Sequence, residues 1–260
     1  MQPTLFLSHG SPMTVLTDSP ARDFLAGLAS GMGERPKAIL VVSAHWETER
    51  PTLNAVARNG TIHDFYGFPE ALSKIRYEPP GAPALAVEIA ETLREAGYDA
   101  AIDRARGLDH GAWTPLLLAY PAADIPVLQL SVQTRLGPAH HHRIGAILAP
   151  LRQAGVLVLG SGSFTHDLRR FRGGLSLDAP ETPDITAFAA WMDRRLLEHD
   201  VPALLDYRRQ APFAAQEHPS EEHLLPLYVA LGAAGPDGRA VKIHQSVEFG
   251  FLRMDSYAFQ

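Results

Sequence analysis

Cysteine is absent from all 260 residues. That excludes a disulfide framework, thiol nucleophiles, cysteine-built zinc fingers and thiolate-bound iron–sulfur clusters. Any metal chemistry must therefore draw on histidine and carboxylates. An excess of positive charge is missing too: 23 Lys and Arg stand against 29 Asp and Glu, a net charge of −6. A general nucleic-acid binder would show a basic patch or stripe, so no nucleic-acid partner is expected. No apolar run approaches the roughly 18 residues of a membrane span. The opening Met1-Gln2-Pro3-Thr4-Leu5 lacks the basic start and long apolar stretch of a secretory signal. The expectation is a cytoplasmic protein with no membrane partner. Repeats, low-complexity tracts and linkers are also lacking, and a single domain over residues 1–260 is expected. Its oligomeric state is open.

What is present is an alternation of short apolar runs with helical patterns. Thr4–Leu7, Ala38–Ser43, Val127–Ser131 and Val156–Leu159 are continuously apolar or nearly so. Such runs suit strands buried on both faces, as in a parallel sheet. Helical periodicity occupies Ala21–Met32, Ala82–Ala96, Pro138–Ala154, Thr182–His199 and Leu224–Leu231. The segment Ala240–Tyr257 alternates and reads as a hairpin or an edge pair. The fold class predicted is α/β: one domain with a central, mostly parallel sheet flanked by helices.

Twelve histidines are the informative feature. His9 follows Leu5-Phe6-Leu7-Ser8, His45 follows Ile39-Leu40-Val41-Val42-Ser43-Ala44, and His166 follows Val156–Leu159 across the small-residue turn Gly160-Ser161-Gly162-Ser163. All three sit at or just past the carboxyl ends of apolar strands, the edge at which open α/β sheets bind ligands. His110 lies in the loop Leu108-Asp109-His110-Gly111, and His223 is expected in the first turn of the last helix, with Ser220 as its cap. Neutral imidazoles suit iron, zinc, copper and nickel, and a catalytic metal keeps an open position beside its protein ligands. A lone histidine after a strand is more often a hydrogen-bonded core residue, whereas three in one topological position point to a shared metal. The run His140-His141-His142 is expected on a solvated helix face. His199 suits a helix end, His244 carries no assignment, and His218 fits a surface role as well as a place near the site. His63 lies in an aromatic, glycine-rich loop, Thr61-Ile62-His63-Asp64-Phe65-Tyr66-Gly67-Phe68-Pro69, that can line a pocket or stand behind one.

At these residues the chain resembles the DOPA-dioxygenase-type members of the class III extradiol ring-cleaving dioxygenases, which share a fold with the protocatechuate 4,5-dioxygenase catalytic subunit. The matching segments are Ser8-His9-Gly10-Ser11-Pro12-Met13, Ser43-Ala44-His45-Trp46, Ile62-His63-Asp64-Phe65 with Gly67-Phe68-Pro69, Asp109-His110-Gly111-Ala112-Trp113, Gly160-Ser161-Gly162 leading to His166-Asp167-Leu168, and Glu222-His223 followed by Leu225-Pro226-Leu227. They run through nearly the whole chain in family order. The resemblance implies that His9, His45 and His223 hold one divalent metal, Fe(II) or Zn(II), with His166 a candidate fourth ligand. It implies His166 as the acid/base and His110 as a substrate-side histidine. A small aromatic diol and O₂ would be the substrates. The pattern departs at His223, where iron members of the wider superfamily carry a glutamate. Trp46, Phe65, Tyr66, Trp113 and His63 are candidate pocket walls. The histidines by themselves also allow a zinc hydrolase or a non-catalytic metal-binding member of the fold. Gly160-Ser161-Gly162 lacks the third glycine of a dinucleotide fingerprint.

Overall fold

The computed structural model describes residues 1–171 and 174–260. Ten strands lie among them: β1 Thr4–Ser8, β2 Ala38–Glu47, β3 Thr52–Asn54, β4 Ala101–Asp103, β5 Val127–Val132, β6 Val156–Gly162, β7 Ala240–His244, β8 Val247–Glu248, β9 Leu252–Arg253 and β10 Ser256–Phe259. The helices are α1 Pro20–Gly31, α2 Glu70–Ser73, α3 Pro83–Glu95, α4 His110–Ala119, α5 Gly137–Leu148, α6 Pro183–Leu197, α7 Val201–Leu205, α8 Tyr207–Gln210, α9 Ala214–Glu217 and α10 Leu225–Ala233.

One eight-stranded sheet runs β4-β3-β5-β2-β6-β1-β10-β7. Its centre is parallel, through the pairs β2–β5, β2–β6 and β1–β6. The C-terminal strands close it antiparallel, β10 on β1 and β7 on β10. This is the predicted single domain with a mostly parallel sheet flanked by helices. The alternating C-terminal segment supplies the edge pair, with the small β8–β9 hairpin between its two strands.

Successive strand residues face opposite ways, and the central strands feed two cores. Phe6, Leu40, Val42 and Val158 pack with Ile89 and Leu93 of α3, Ile144 of α5 and Leu227 of α10. Leu5, Ile39, Val41 and Leu159 pack with Leu25 and Leu28 of α1 and Trp113 and Leu116 of α4. Both faces are covered, which is why these strands read as unbroken apolar runs. Each such side chain contributes about 1.5–3 kcal/mol on full burial.

The structure corrects several local expectations. β6 does not end at Leu159 in a turn but continues through Gly162. Its glycines admit a neighbouring backbone: a Cβ at Gly160 would stand 2.2 Å from the Pro226 carbonyl oxygen, and one at Gly162 would stand 2.0 Å from that of His223. β2 runs on to Glu47, so His45 lies on a strand. His223 precedes α10 instead of lying in its first turn. The cap is Leu224, with no side-chain cap bond, and Ser220 plays no such part. Pro226 has no N–H to donate and fits only the first turn, which fixes the helix start there. His140 and His141 are buried rather than solvated. The His141 ring donates through Nδ1 to the Gly137 carbonyl (2.7 Å) and accepts the Gln133 N–H through Nε2 (3.1 Å), and burial pushes it down to about 4. His218 is also interior, at 0% exposure, its Nε2 3.0 Å from the Phe164 carbonyl oxygen.

Candidate metal and substrate site

The parallel register brings three carboxyl ends together. Ser8 pairs with Gly162 and Ser43 with Ser161. His9 is thus the first residue beyond β1, His45 sits at the exit of β2, and Ser163 follows β6. His223 enters from the opposite side, its carbonyl accepting the Ser163 N–H (2.9 Å). His110 opens α4, whose cap Asp109 accepts the Ala112 N–H.

Hydrogen bonds fix the rings. The Ser161 hydroxyl donates to the Gly111 carbonyl, so its oxygen accepts from His9 Nδ1 (3.0 Å). His223 Nδ1 donates to the Glu222 carboxylate (3.0 Å). Both rings therefore carry an Nε2 lone pair. These nitrogens stand 3.1 Å and 3.3 Å from His45 Nε2. Imidazole nitrogens about 2.1 Å from one tetrahedral centre lie about 3.4 Å apart, so this spacing suits a shared divalent cation. Among the described residues, two trios have donor atoms within 4.8 Å of one another and could hold a cation, His9 with His45 and His110, and His166 with Glu222 and His223; His45 Nε2, close to both His9 and His223, joins them. Burial lowers His9 and His223 well below the usual histidine range, and the neighbouring imidazoles lower them further. Burial and His110 take His45 down to about 4, against the pull of Asp109 and Asp64. Neutral imidazole is the form a metal binds, so the cluster is ready for a cation at neutral pH.

Two further histidines flank this centre. His110 donates through Nδ1 to Asp64 (2.9 Å), whose other oxygen accepts the His110 N–H (3.0 Å). Burial raises the Asp64 carboxyl, but the bonds and charge of His110 outweigh it and hold it at about 2. The Asp64–His110 pair was not predicted; nothing local in the sequence couples residues 46 positions apart. His166 stacks on His223, with centroids 3.3 Å apart at 14°. Burial, then repulsion from His218, His45 and His110, push His166 to about 3. Behind the site Asp109 is fully buried yet satisfied: it accepts from Ser43 (2.6 Å), Gln129 (2.8 Å) and Arg106 (2.9 Å). Those bonds tie the start of α4 to β2 and β5.

A cavity of about 470 Å³ opens onto the cluster, lined by His9, His45, His110 and His166 together with Met13, Phe65, Phe68, Phe171, Phe249 and Phe251. The other proposed walls lie elsewhere. Trp46 follows His45 on a strand, so its side chain takes the opposite face, where the Arg106 guanidinium covers its ring at 4.7 Å. Tyr66 is 95% exposed. Trp113 is fully buried and donates through Nε1 to the Ile62 carbonyl (2.9 Å). His63 does not line the cavity; its Nε2 lies 3.1 Å from the Ile75 carbonyl oxygen, and its ring is edge-on to Phe65. It stands behind the wall. Phe68 lies in the loop that was expected to line a pocket and does line it; Phe171, Phe249 and Phe251 were missed, since an apolar residue outside a regular pattern carries no mark of which cavity it will face.

Residues 3–259 match the family described as the catalytic LigB subunit of aromatic ring-opening dioxygenase. The chain belongs to this family. It is 44% identical to a 4,5-DOPA dioxygenase extradiol of Beta vulgaris, over 98% of this chain and 96% of that one. It is 37% identical to a protein of the same name from Escherichia coli K12, over 97% and 92% of the two chains. The dioxygenase also superimposes along the full length of both chains on the crystal structure of an uncharacterized E. coli K12 protein, with a TM-score of 0.83 and 33% identity. The family is metal-dependent, and this chain's histidine cluster has the donor set for it. No helix among the described residues is long and apolar enough to cross a membrane.

Proposed function

We propose that this ring-opening dioxygenase cleaves a catechol beside its hydroxyl pair, in the extradiol position, using Fe(II) held by His9, His45 and His223. The observation that carries this reading is the meeting of three Nε2 atoms from β1, β2 and the residue-223 turn at the floor of an aromatic-walled cavity. Iron would supply the one-electron chemistry that lets a singlet catechol react with O₂, together with Lewis acidity toward the catechol oxygens; zinc, which has no redox change, supplies only the second. The zinc-hydrolase alternative rests on the histidines alone, whereas the family match spans the chain.

The protein's own residues bind, orient and move protons. Phe65, Phe68, Phe171 and Phe249 offer faces and edges to an aromatic ring and keep water from it. His110, held by Asp64 through Nδ1, keeps Nε2 free to accept a catechol hydroxyl proton or hydrogen bond. His166 is neutral at pH 7 and can take the second proton. Once protonated among other imidazoles it is a strong acid, suited to returning that proton as the ring opens. The DOPA-named relatives make DOPA or a related catechol the substrate to try first.

The test is anaerobic purification, reconstitution with Fe(II) or Zn(II), and visible spectroscopy with a panel of catechols. A yellow ring-opened product with Fe(II) alone is expected. His45→Ala should lose both metal and product, and His166→Ala should keep metal but lose product. A Zn(II) form as active as the Fe(II) form would overturn the reading of the metal.

A further inference from the structure

The cavity is apolar apart from hydroxyls and its histidines, with one exception. Glu248 lines it and is only 5% exposed. Among the described lining residues it is the one carboxylate, and no lysine or arginine stands with it. Nearby cations are engaged elsewhere: Arg253 lies 3.4 Å from Glu181 and 3.4 Å from Asp255. Among the described residues the polar partner of Glu248 is the Ser19 hydroxyl, whose oxygen also caps α1 by accepting the Arg22 N–H (3.2 Å). A buried carboxylate with a single neutral partner retains acceptor capacity, and burial raises its affinity for a proton or another cation.

The backbone that delivers Glu248 is strained. Glu248 and Leu252 pair across β8 and β9, and the tight turn between them places Phe249 at φ 56 and Gly250 at φ 73. Glycine takes that conformation freely; phenylalanine does not. A Cβ at Gly250 would also come within 2.6 Å of the Pro180 carbonyl oxygen. The strained Phe249 packs edge-on to Phe171 (5.3 Å) and lines the same cavity. Strain of this kind persists where the surroundings over-determine a geometry, and it gathers at ligand-holding sites.

We propose that Glu248 is a specificity-determining residue that receives the positively charged amine of the substrate's side chain, while the catechol ring lies between the histidines and the phenylalanines. The assignment rests on the ring-cleaving reading of the same cavity. It makes catechols with a protonated amine the favoured class, and catechols with an anionic side chain the disfavoured one. An ammonium group satisfies the buried carboxylate with a charge-assisted hydrogen bond. A carboxylate brought there meets a like charge with no compensating base among the described residues.

The Fe(II)-loaded protein is assayed for oxygen uptake with dopamine, 4-methylcatechol and 3,4-dihydroxyphenylacetate, in the native form and as Glu248→Gln. The native protein should rank them by kcat/KM in that order. In Glu248→Gln the ratio of dopamine to 4-methylcatechol should fall about tenfold or more, the usual scale for losing a hydrogen bond to a charged group. Because the ratio is taken within one variant, any loss of folded protein cancels. Calorimetric titration of the native protein with phenethylamine and phenylacetate, which lack the hydroxyls needed for cleavage, reads the same preference without turnover and without a variant. Tighter binding of the amine supports the assignment. Equal binding, preference for the acid, or a ratio unchanged in Glu248→Gln would overturn it. Absence of oxygen uptake with all three catechols and with DOPA would instead sink the ring-cleaving reading, and the calorimetric preference would still decide the role of Glu248.

Discussion

At the scale of single residues, three of the site's imidazoles are each fixed by a hydrogen-bonded partner. Ser161 holds His9, Glu222 holds His223 and Asp64 holds His110. Such partners set the tautomer and aim the other nitrogen. Asp64→Asn should therefore lower kcat/KM about 10- to 100-fold through loss of His110 orientation. Metal content, read by elemental analysis, should fall less than activity, because Asp64 is bonded to His110 (2.9 Å) and stands farther, at 3.6 Å, from Nδ1 of the proposed ligand His45; equal losses of metal and activity would show that it acts on the metal centre. Much of the histidine set was legible, because a histidine placed just after a buried strand run has a predictable location at the sheet edge. Its partner Asp64 was not: it reaches His110 from a loop whose course no local pattern records. The aromatic assignments divided for a simple reason. Phe65 reaches the cavity, but Trp46 and Tyr66 are each adjacent in sequence to a cavity residue, and in extended chain adjacent side chains diverge.

At the scale of elements, the long apolar strands and amphipathic helices were readable because burial on both sheet faces leaves an unbroken apolar signature. β3 and β4 were not, since three residues each are too few to show a pattern. The Gly160-Ser161-Gly162 segment looked like a turn because its residue types usually make turns. Here the glycines serve close packing of β6 against the segment that carries His223. Gly162→Ala should accordingly push that segment away, costing about 1–3 kcal/mol as overpacking does and weakening metal binding several-fold. Chemical denaturation and metal titration measure the two effects. An alanine variant as stable and as avid as the native protein would show that the approach of the two backbones is unimportant.

At the scale of the whole molecule, the fold converts a run of separate segments into one charge-sensitive centre. Burial lowers more histidines than it raises acids. His141 and His218 are each pushed to about 4, while an unfolded-chain histidine titrates near 6.5. Above that value neither state binds the proton, and stability is full. As pH falls from about 6.5 to about 4 the unfolded chain takes up protons that the folded chain refuses, so stability is lost across that window, by at most about 3 kcal/mol for His141. Glu217 and Asp255, raised to about 7 and about 6 by burial, act with the opposite sign, losing stability as pH rises through the same range, but they are fewer. The metal-free protein should thus unfold at lower denaturant between pH 6.5 and 4, as followed by circular dichroism; a flat or rising profile would contradict the burial of these histidines. Metal should raise the melting temperature at pH 7 and lose that effect on acidification, since the ligands must be neutral to bind. The central claim, that the three-histidine cluster supports oxygen-dependent ring opening, is tested most directly with an oxygen electrode on anaerobically reconstituted protein. The account predicts that Fe(II), saturating at one per chain, gives one O₂ consumed for each catechol lost, with no oxygen returned when catalase is added. Catechol loss without oxygen uptake, or release of oxygen by catalase from peroxide, would contradict it.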